Sequence, residues 1–152
     1  MLKVAVVGLG TMGAAHLDAW RSVPDARVVA VCSRDPAKGE AFAARCGARA
    51  FTSFEDMYEQ VAFDVADLCL PTDLHPAFIR KAAAAGKHIV CEKPLALTPE
   101  EAEACIRYCE QRNVRLFVGH DLRFCPEYRQ ARERIAAGEL GRVGIVRMSR
   151  RS

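Results

Sequence analysis

The sequence predicts a doubly wound α/β fold, an open parallel sheet with helices on both faces. Three observations carry this. Continuous apolar runs such as "KVAVVG" and "ARVVAVCS" are rich in β-branched residues, as strands covered on both faces are. Stretches with helical periodicity separate them, so right-handed crossovers between parallel strands are expected. A glycine-rich turn, "GLGTMG", joins the first run to the first helix.

In chain order, "KVAVVG" is a strand and "TMGAAHLDAWRSV" a helix, with Trp20 and Leu17 as core. "ARVVAVCS" is the second buried strand. "DPAKGEAFAARCG" is a helix, with Pro36 in its first turn and Gly47 just past its end. "ARAF" suits a short strand. "SFEDMYEQ" suits a short helix capped by Ser53, with Asp56 three residues on. "DVADLCLP" is a strand, "HPAFIRKAAAAG" a helix and "KHIVCEK" a strand. "TPEEAEACIRYCEQRN" has Thr98 as N-cap, Pro99 at N1 and Glu101 at N3, a full helix-start signal. "VRLFVGH" closes the sheet, so the first domain is expected over residues 1–119. Beyond it come a connection, "DLRFC", a basic helix, "PEYRQARERIAAGELG", and a strand, "RVGIVRMS". That strand has no successor to pair with. Residues 120–152 therefore read as the incomplete start of a second α+β domain.

At 152 residues, 51% hydrophobic and 27% charged, the chain reads as globular. No apolar run reaches the roughly 18 residues of a membrane span. The N-terminus runs straight into the glycine turn, so no signal peptide is expected. Seven cysteines without a C-x-x-C suggest a reducing cytoplasm. Cys105 and Cys109 share a helix face, but nothing completes a tetrahedral metal set, so no metal is expected. Residues 1–76 carry a net charge of −3 and residues 77–152 a net charge of +6. The second half's arginines alternate with glutamates, as on a solvated helix face, so no nucleic-acid partner is expected.

Gly8, Gly10 and Gly13 form G-x-G-x-x-G between a buried strand and a helix. That context is what a dinucleotide needs. Gly8 makes the tight turn, Gly10 lets backbone approach a pyrophosphate, and Gly13 allows close helix–strand packing. The amides of Thr11 and Met12 lie at the helix N-terminus, where an anion is favoured. NAD-preferring sites usually carry a carboxylate about 20 residues after the last glycine. Here that position holds Ser33, followed by Arg34 and Asp35. A hydroxyl and a guanidinium would accept a 2′-phosphate, which points to NADP or dual use. The alternative is that Arg34 stacks on adenine and Asp35 reaches the ribose.

Lys93 ends a strand between Glu92 and Pro94. Ligands of open parallel sheets bind beyond the strands' carboxyl ends, where Pro71 and Glu92 also fall. Pro94 keeps Lys93 extended, and a cis Lys93–Pro94 bond is open. Oxidising an alcohol needs a hydride acceptor and a group that takes the hydroxyl proton. A lysine does this where its surroundings weaken its hold on the proton. Glu92 would work against that, so Lys93 reads as either a base or a fixed positive charge. His75 either caps the following helix or lines the site. His16 and His120 read as structural.

The glycine loop, "PTDLH" at 71–75, "AGKHIVCEKPLALTPEEA" at 85–102 and "GHDLRFCPEY" at 119–128 together resemble the Gfo/Idh/MocA family of NAD(P)-dependent oxidoreductases. The resemblance spans essentially the whole chain, and "GKHIVCEKP" is its most specific piece. It implies a Rossmann domain binding NADP or NAD. It implies that Lys93 of "EKP" sits beside nicotinamide and substrate, with Glu92 and Pro94 framing it. It implies that Pro71, Thr72 and His75 line the cofactor near the nicotinamide ribose, and that Arg123 lies near the catalytic pocket. It implies a sugar- or polyol-type small-molecule substrate. Family chains are about twice this length, and their second domain supplies much of the pocket and of a homo-oligomer interface. Two readings follow: the cofactor half of a dehydrogenase, or a stand-alone dinucleotide-binding or sensing module. Turnover discriminates them: the fragment reading expects cofactor binding without turnover by this chain and turnover by a longer version.

Overall fold

In the computed structural model, residues 1–149 are described; residues 150–152, at the end of the expected second domain, lie outside them. The chain divides into two compact units, Met1–Gly119 and His120–Ser152. The first contains β1 (Leu2–Val7), α1 (Thr11–Arg21), β2 (Ala26–Cys32), α2 (Pro36–Cys46), β3 (Arg49–Phe51), α3 (Phe54–Gln60), β4 (Val65–Leu68), α4 (His75–Ala84), β5 (His88–Cys91), α5 (Pro99–Glu110) and β6 (Leu116–Val118).

The sheet is six-stranded, in the order β3-β2-β1-β4-β5-β6, and every strand pair is parallel. The order reverses between β1 and β4, which makes their carboxyl ends the switch point where such sheets take ligands. The central strands β1 and β4 are buried on both faces over most of their length, as their lack of alternation requires, whereas the edge strand β6 leaves Phe117 exposed. One core joins the sheet to Phe54 and Met57 of α3, Ile79, Ala82 and Ala83 of α4, and Cys105 and Cys109 of α5. The opposite core joins it to Leu17 of α1 and Ala43 of α2. The cysteines of α5 are thus packing residues, and all seven cysteines are free thiols.

Local signals explain the helix boundaries. Thr98 Oγ1 accepts from the Glu101 N–H at 3.2 Å, and Ser53 Oγ accepts from the Asp56 N–H at 3.2 Å. Gly47 ends α2 with φ 67°, a left-handed conformation that glycine adopts without penalty. No helix among the described residues is long and apolar enough to cross a membrane.

The second unit holds α6 (Pro126–Ala136), which buries no residue. Its Arg129 and Glu133 pair across one turn at 3.9 Å, in keeping with a solvated charged face. The expected strand over Arg142–Met148 does not form. That stretch is irregular and exposed among the described residues. Its β-branched residues favour a strand, but a strand also needs a neighbour to pair its backbone groups.

Candidate functional site

A cavity of about 610 Å³ opens at the switch point. The β1 exit supplies Gly8 and Gly10, the β2 exit Ser33 and Arg34, and the β4 exit Pro71. The glycine loop is shaped by close backbone approach. Gly8 has φ 92°, and a methyl there would sit 2.8 Å from the Cys69 carbonyl carbon. A methyl on Gly13 would overlap the Gly8 carbonyl oxygen. Gly10 differs, because a methyl there meets open space. Gly10 is also the N-cap of α1 and has no side chain to cap it. The first amides of α1, including those of Thr11 and Met12, therefore have no intrahelical acceptor. An uncapped helix start beside an open methyl-sized space fits a pyrophosphate, so these residues could hold a dinucleotide.

At the β2 exit, Ser33 Oγ accepts from the Asp35 N–H at 3.2 Å. Asp35 Oδ1 accepts from the Lys38 N–H at 3.2 Å and caps α2. Arg34 and Lys38 line the cavity beside them.

The second half of the site is the Lys93 turn. The Lys93–Pro94 peptide is cis. Lys93 is exposed, and its ammonium has no ion pair among the described residues. The expected pairing of Glu92 with that ammonium is not seen among the described residues. The Glu92 side chain is buried and faces inward, where Oε1 lies 3.0 Å from His16 Nε2 and Oε2 accepts the Lys93 backbone N–H at 3.2 Å. Apolar packing of β5 pulls the Glu92 backbone into the sheet, and His16 is the cation it meets there.

His75 is neither a side-chain cap nor a wall of the cavity. Its ring is fully buried at the start of α4, with Nδ1 2.9 Å from the Pro94 carbonyl and Nε2 2.8 Å from the Leu70 carbonyl. It ties the Lys93 turn to the β4 exit loop from below. Thr72 lies in the short 3-10 turn of that loop, Thr72–Leu74. Arg123 belongs to the second unit, in a 3-10 turn over Asp121–Phe124.

Sequence reasoning missed the polar cluster beneath these loops. Asp67 of β4 is fully buried. It accepts from Trp20 Nε1 at 2.6 Å, and both its oxygens lie 3.0 Å from His16 Nδ1. Trp20 is thus a hydrogen-bond donor as well as a packing residue. The available signal was "VADL" itself, because a carboxylate inside a strand covered on both faces must find donors. The two carboxylates hold the imidazole of His16 in its charged form and raise its pKa to about 8, against the opposing pull of burial. His16, Asp67 and Cys69 lie within 4.8 Å of one another, a spacing a metal could use. Cys69 donates to Asp67 Oδ1 at 3.8 Å, and burial and the nearby carboxylates push its thiol well up. That chemistry suits a hydrogen-bonded cluster.

Comparison with known proteins places this geometry among relatives. A family model described as "Oxidoreductase family, NAD-binding Rossmann fold" (Gfo/Idh/MocA) matches residues 2–120. The chain is 36% identical to the inositol 2-dehydrogenase of Rhizobium meliloti over 151 residues, 99% of this chain and 45% of that one. It is 39% identical to the scyllo-inositol 2-dehydrogenase (NAD(+)) of Bacillus subtilis over 147 residues, 93% of this chain and 42% of that one. The crystal structure of the WlbA dehydrogenase from Bordetella pertussis, in complex with NADH and UDP-GlcNAcA, matches with a TM-score of 0.87 and 33% identity. It covers 93% of this chain and 44% of that one. The chain thus spans under half the length of the relatives it matches.

Proposed function

The chain belongs to the Gfo/Idh/MocA oxidoreductase family, with its NAD-binding Rossmann fold, and from that premise we propose that it is the cofactor half of a dehydrogenase acting on a sugar or polyol. The observation that carries this is an uncapped glycine loop at the β1 exit and a Lys93 without an ion pair among the described residues at the β5 exit, on the same edge of the sheet with β4 between them. The glycine loop and the α1 amides bind the diphosphate, while Ser33 and Arg34 face the adenosine ribose. A bound nicotinamide dinucleotide supplies the hydride acceptor or donor. Lys93 Nζ holds or takes the hydroxyl proton of the substrate, leaving a carbonyl once hydride has gone. Glu92, Pro94 and His75 set the direction of the Lys93 turn; Pro71 and Thr72 shape the opposite lip. Arg123 is the substrate-contacting candidate that the second unit carries. Relatives that act on sugars and polyols support a small-molecule substrate, and a homo-oligomer built on the further length of such chains fits the same reading.

The test is turnover. A chain extended to the length of its relatives should oxidise at least one member of a polyol panel with NAD or NADP. The 152-residue chain should bind NADH and turn over none. Tight NADH binding with no turnover by either chain would favour a sensing module instead.

The ribose end makes a separate prediction. Asp35 is engaged as the α2 cap, and Arg34 and Lys38 present cations beside Ser33. NADPH should therefore bind at least as well as NADH. Arg34→Ala should weaken NADPH on the order of tenfold and NADH much less, since one charge-assisted bond is lost. Fluorescence titration of both cofactors checks it. NADH binding tenfold tighter than NADPH in the parent protein ends the idea.

A further inference from the structure

Both nitrogens of His16 face carboxylates, Asp67 through Nδ1 and Glu92 through Nε2, each at 3.0 Å. A neutral imidazole carries one N–H, and an ionised carboxylate only accepts. Two such contacts are satisfied together only by the imidazolium. The other groups around the cluster are few. Trp20 and Cys69 donate to Asp67, and the Lys93 amide donates to Glu92. The Gly119 backbone closes over Glu92, so that a methyl there would lie 3.0 Å from Oε1. Among the described residues no Lys or Arg pairs with either carboxylate, and His16 is their one cationic partner. Among the described residues every buried side-chain polar atom has a partner in this arrangement.

The three residues come from separate parts of the fold. His16 sits on α1, whose first turn makes the phosphate site. Asp67 is in β4, and Glu92 precedes Lys93 at the β5 exit. We propose that His16 is a positioning residue, an imidazolium clamp that joins the cofactor helix to the Lys93 turn and, by holding Glu92 inward, keeps the Lys93 ammonium unpaired. When the clamp is lost, Glu92 is a buried carboxylate without a counter-ion. The adjacent cation is the ammonium of Lys93 itself, and pairing with it draws the exposed Lys93 side chain back onto Glu92. This rests on the reading of Lys93 as the proton-handling group, but the clamp can be measured without turnover.

The sign of the pH effect follows from the raised His16 pKa of about 8 against 6.5 for a free imidazole. The clamp's stabilisation is fully present below pH 6.5 and is lost as pH rises through about 8. The experiment is an NMR titration of the 152-residue chain, following the His16 ring carbons and the Lys93 Cε. His16 should be doubly protonated at pH 7, with a midpoint near 8, and the Lys93 signal should move in step with it. Asp67→Asn should lower that midpoint by about a unit or more, since it replaces a charged acceptor. His16→Gln should flatten the loss of melting temperature that the parent shows between pH 6.5 and 9. A His16 midpoint at or below 6.5, or a Lys93 signal indifferent to His16, overturns the proposal even if His16→Gln fails to fold. NADH titration in the same samples separates the two readings. Absent NADH binding defeats the cofactor assignment, while a neutral His16 defeats the clamp alone.

Discussion

Gly13→Ala should cost the domain both stability and cofactor. The added methyl would overlap the Gly8 carbonyl oxygen, a backbone atom that cannot rotate away. The glycine loop or α1 must shift. Overpacking of this kind costs about 1–3 kcal/mol, which appears as a melting temperature lower by several degrees. NADH affinity should fall on the order of a hundredfold, because the displaced amides are those proposed to meet the diphosphate. Gly10→Ala is the informative partner. Its methyl enters open space and its backbone is extended, so the fold should keep its stability to within about 0.5 kcal/mol. Its NADH affinity should fall comparably, since the methyl occupies the room a diphosphate needs. Thermal denaturation and NADH fluorescence on both variants check this. Equal losses of melting temperature in the two, or NADH binding unchanged in Gly10→Ala, would place the diphosphate elsewhere.

Lys93→Met should abolish turnover without touching cofactor affinity. Methionine approximates the length of the side chain and removes its charge and its proton. In a chain extended to the length of its relatives, kcat should drop about a thousandfold, within the range for a lost acid–base group. The NADH dissociation constant should stay within about twofold, because Lys93 lines none of the cavity held by the glycine loop. Lys93→Arg then separates base from fixed charge. Arginine stays protonated, so substantial activity in that variant means an electrostatic role, and its absence means proton transfer. A Lys93→Met enzyme within tenfold of the parent would remove Lys93 from the chemistry.

The legible parts of the fold are those written within a few residues. Thr98 and Ser53 accept from the amides three residues on, as a cap must. The β-branched runs became the strands of the six-stranded sheet, and the glycine loop followed the first of them. The "RVGIVRMS" stretch shows the limit of the same signal. It has the composition of a strand but pairs with nothing among the described residues, and a pairing partner is what a strand requires. The site was legible only as loops. Gly8, Gly10, Ser33, Arg34 and Pro71 gather at one cavity, and the pattern of strand ends anticipates that. Glu92 and His75 both turn inward, and no local pattern says so.

By itself, then, the sequence determined the alternation of strands and helices, the glycine loop at the first strand's exit, and Lys93 at the end of another. Each depends on periodicity, capping or proline geometry within about one turn of chain. Tertiary structure alone decided that His16 meets Asp67, 51 residues away, and Glu92, 76 residues away. It alone decided that His75 ties Pro94 to Leu70. Those contacts exist because the sheet sets β1 beside β4 and β4 beside β5, bringing their exits together under α1. Burial then forces each carboxylate to find a donor, and His16 is the cation that packing leaves within reach.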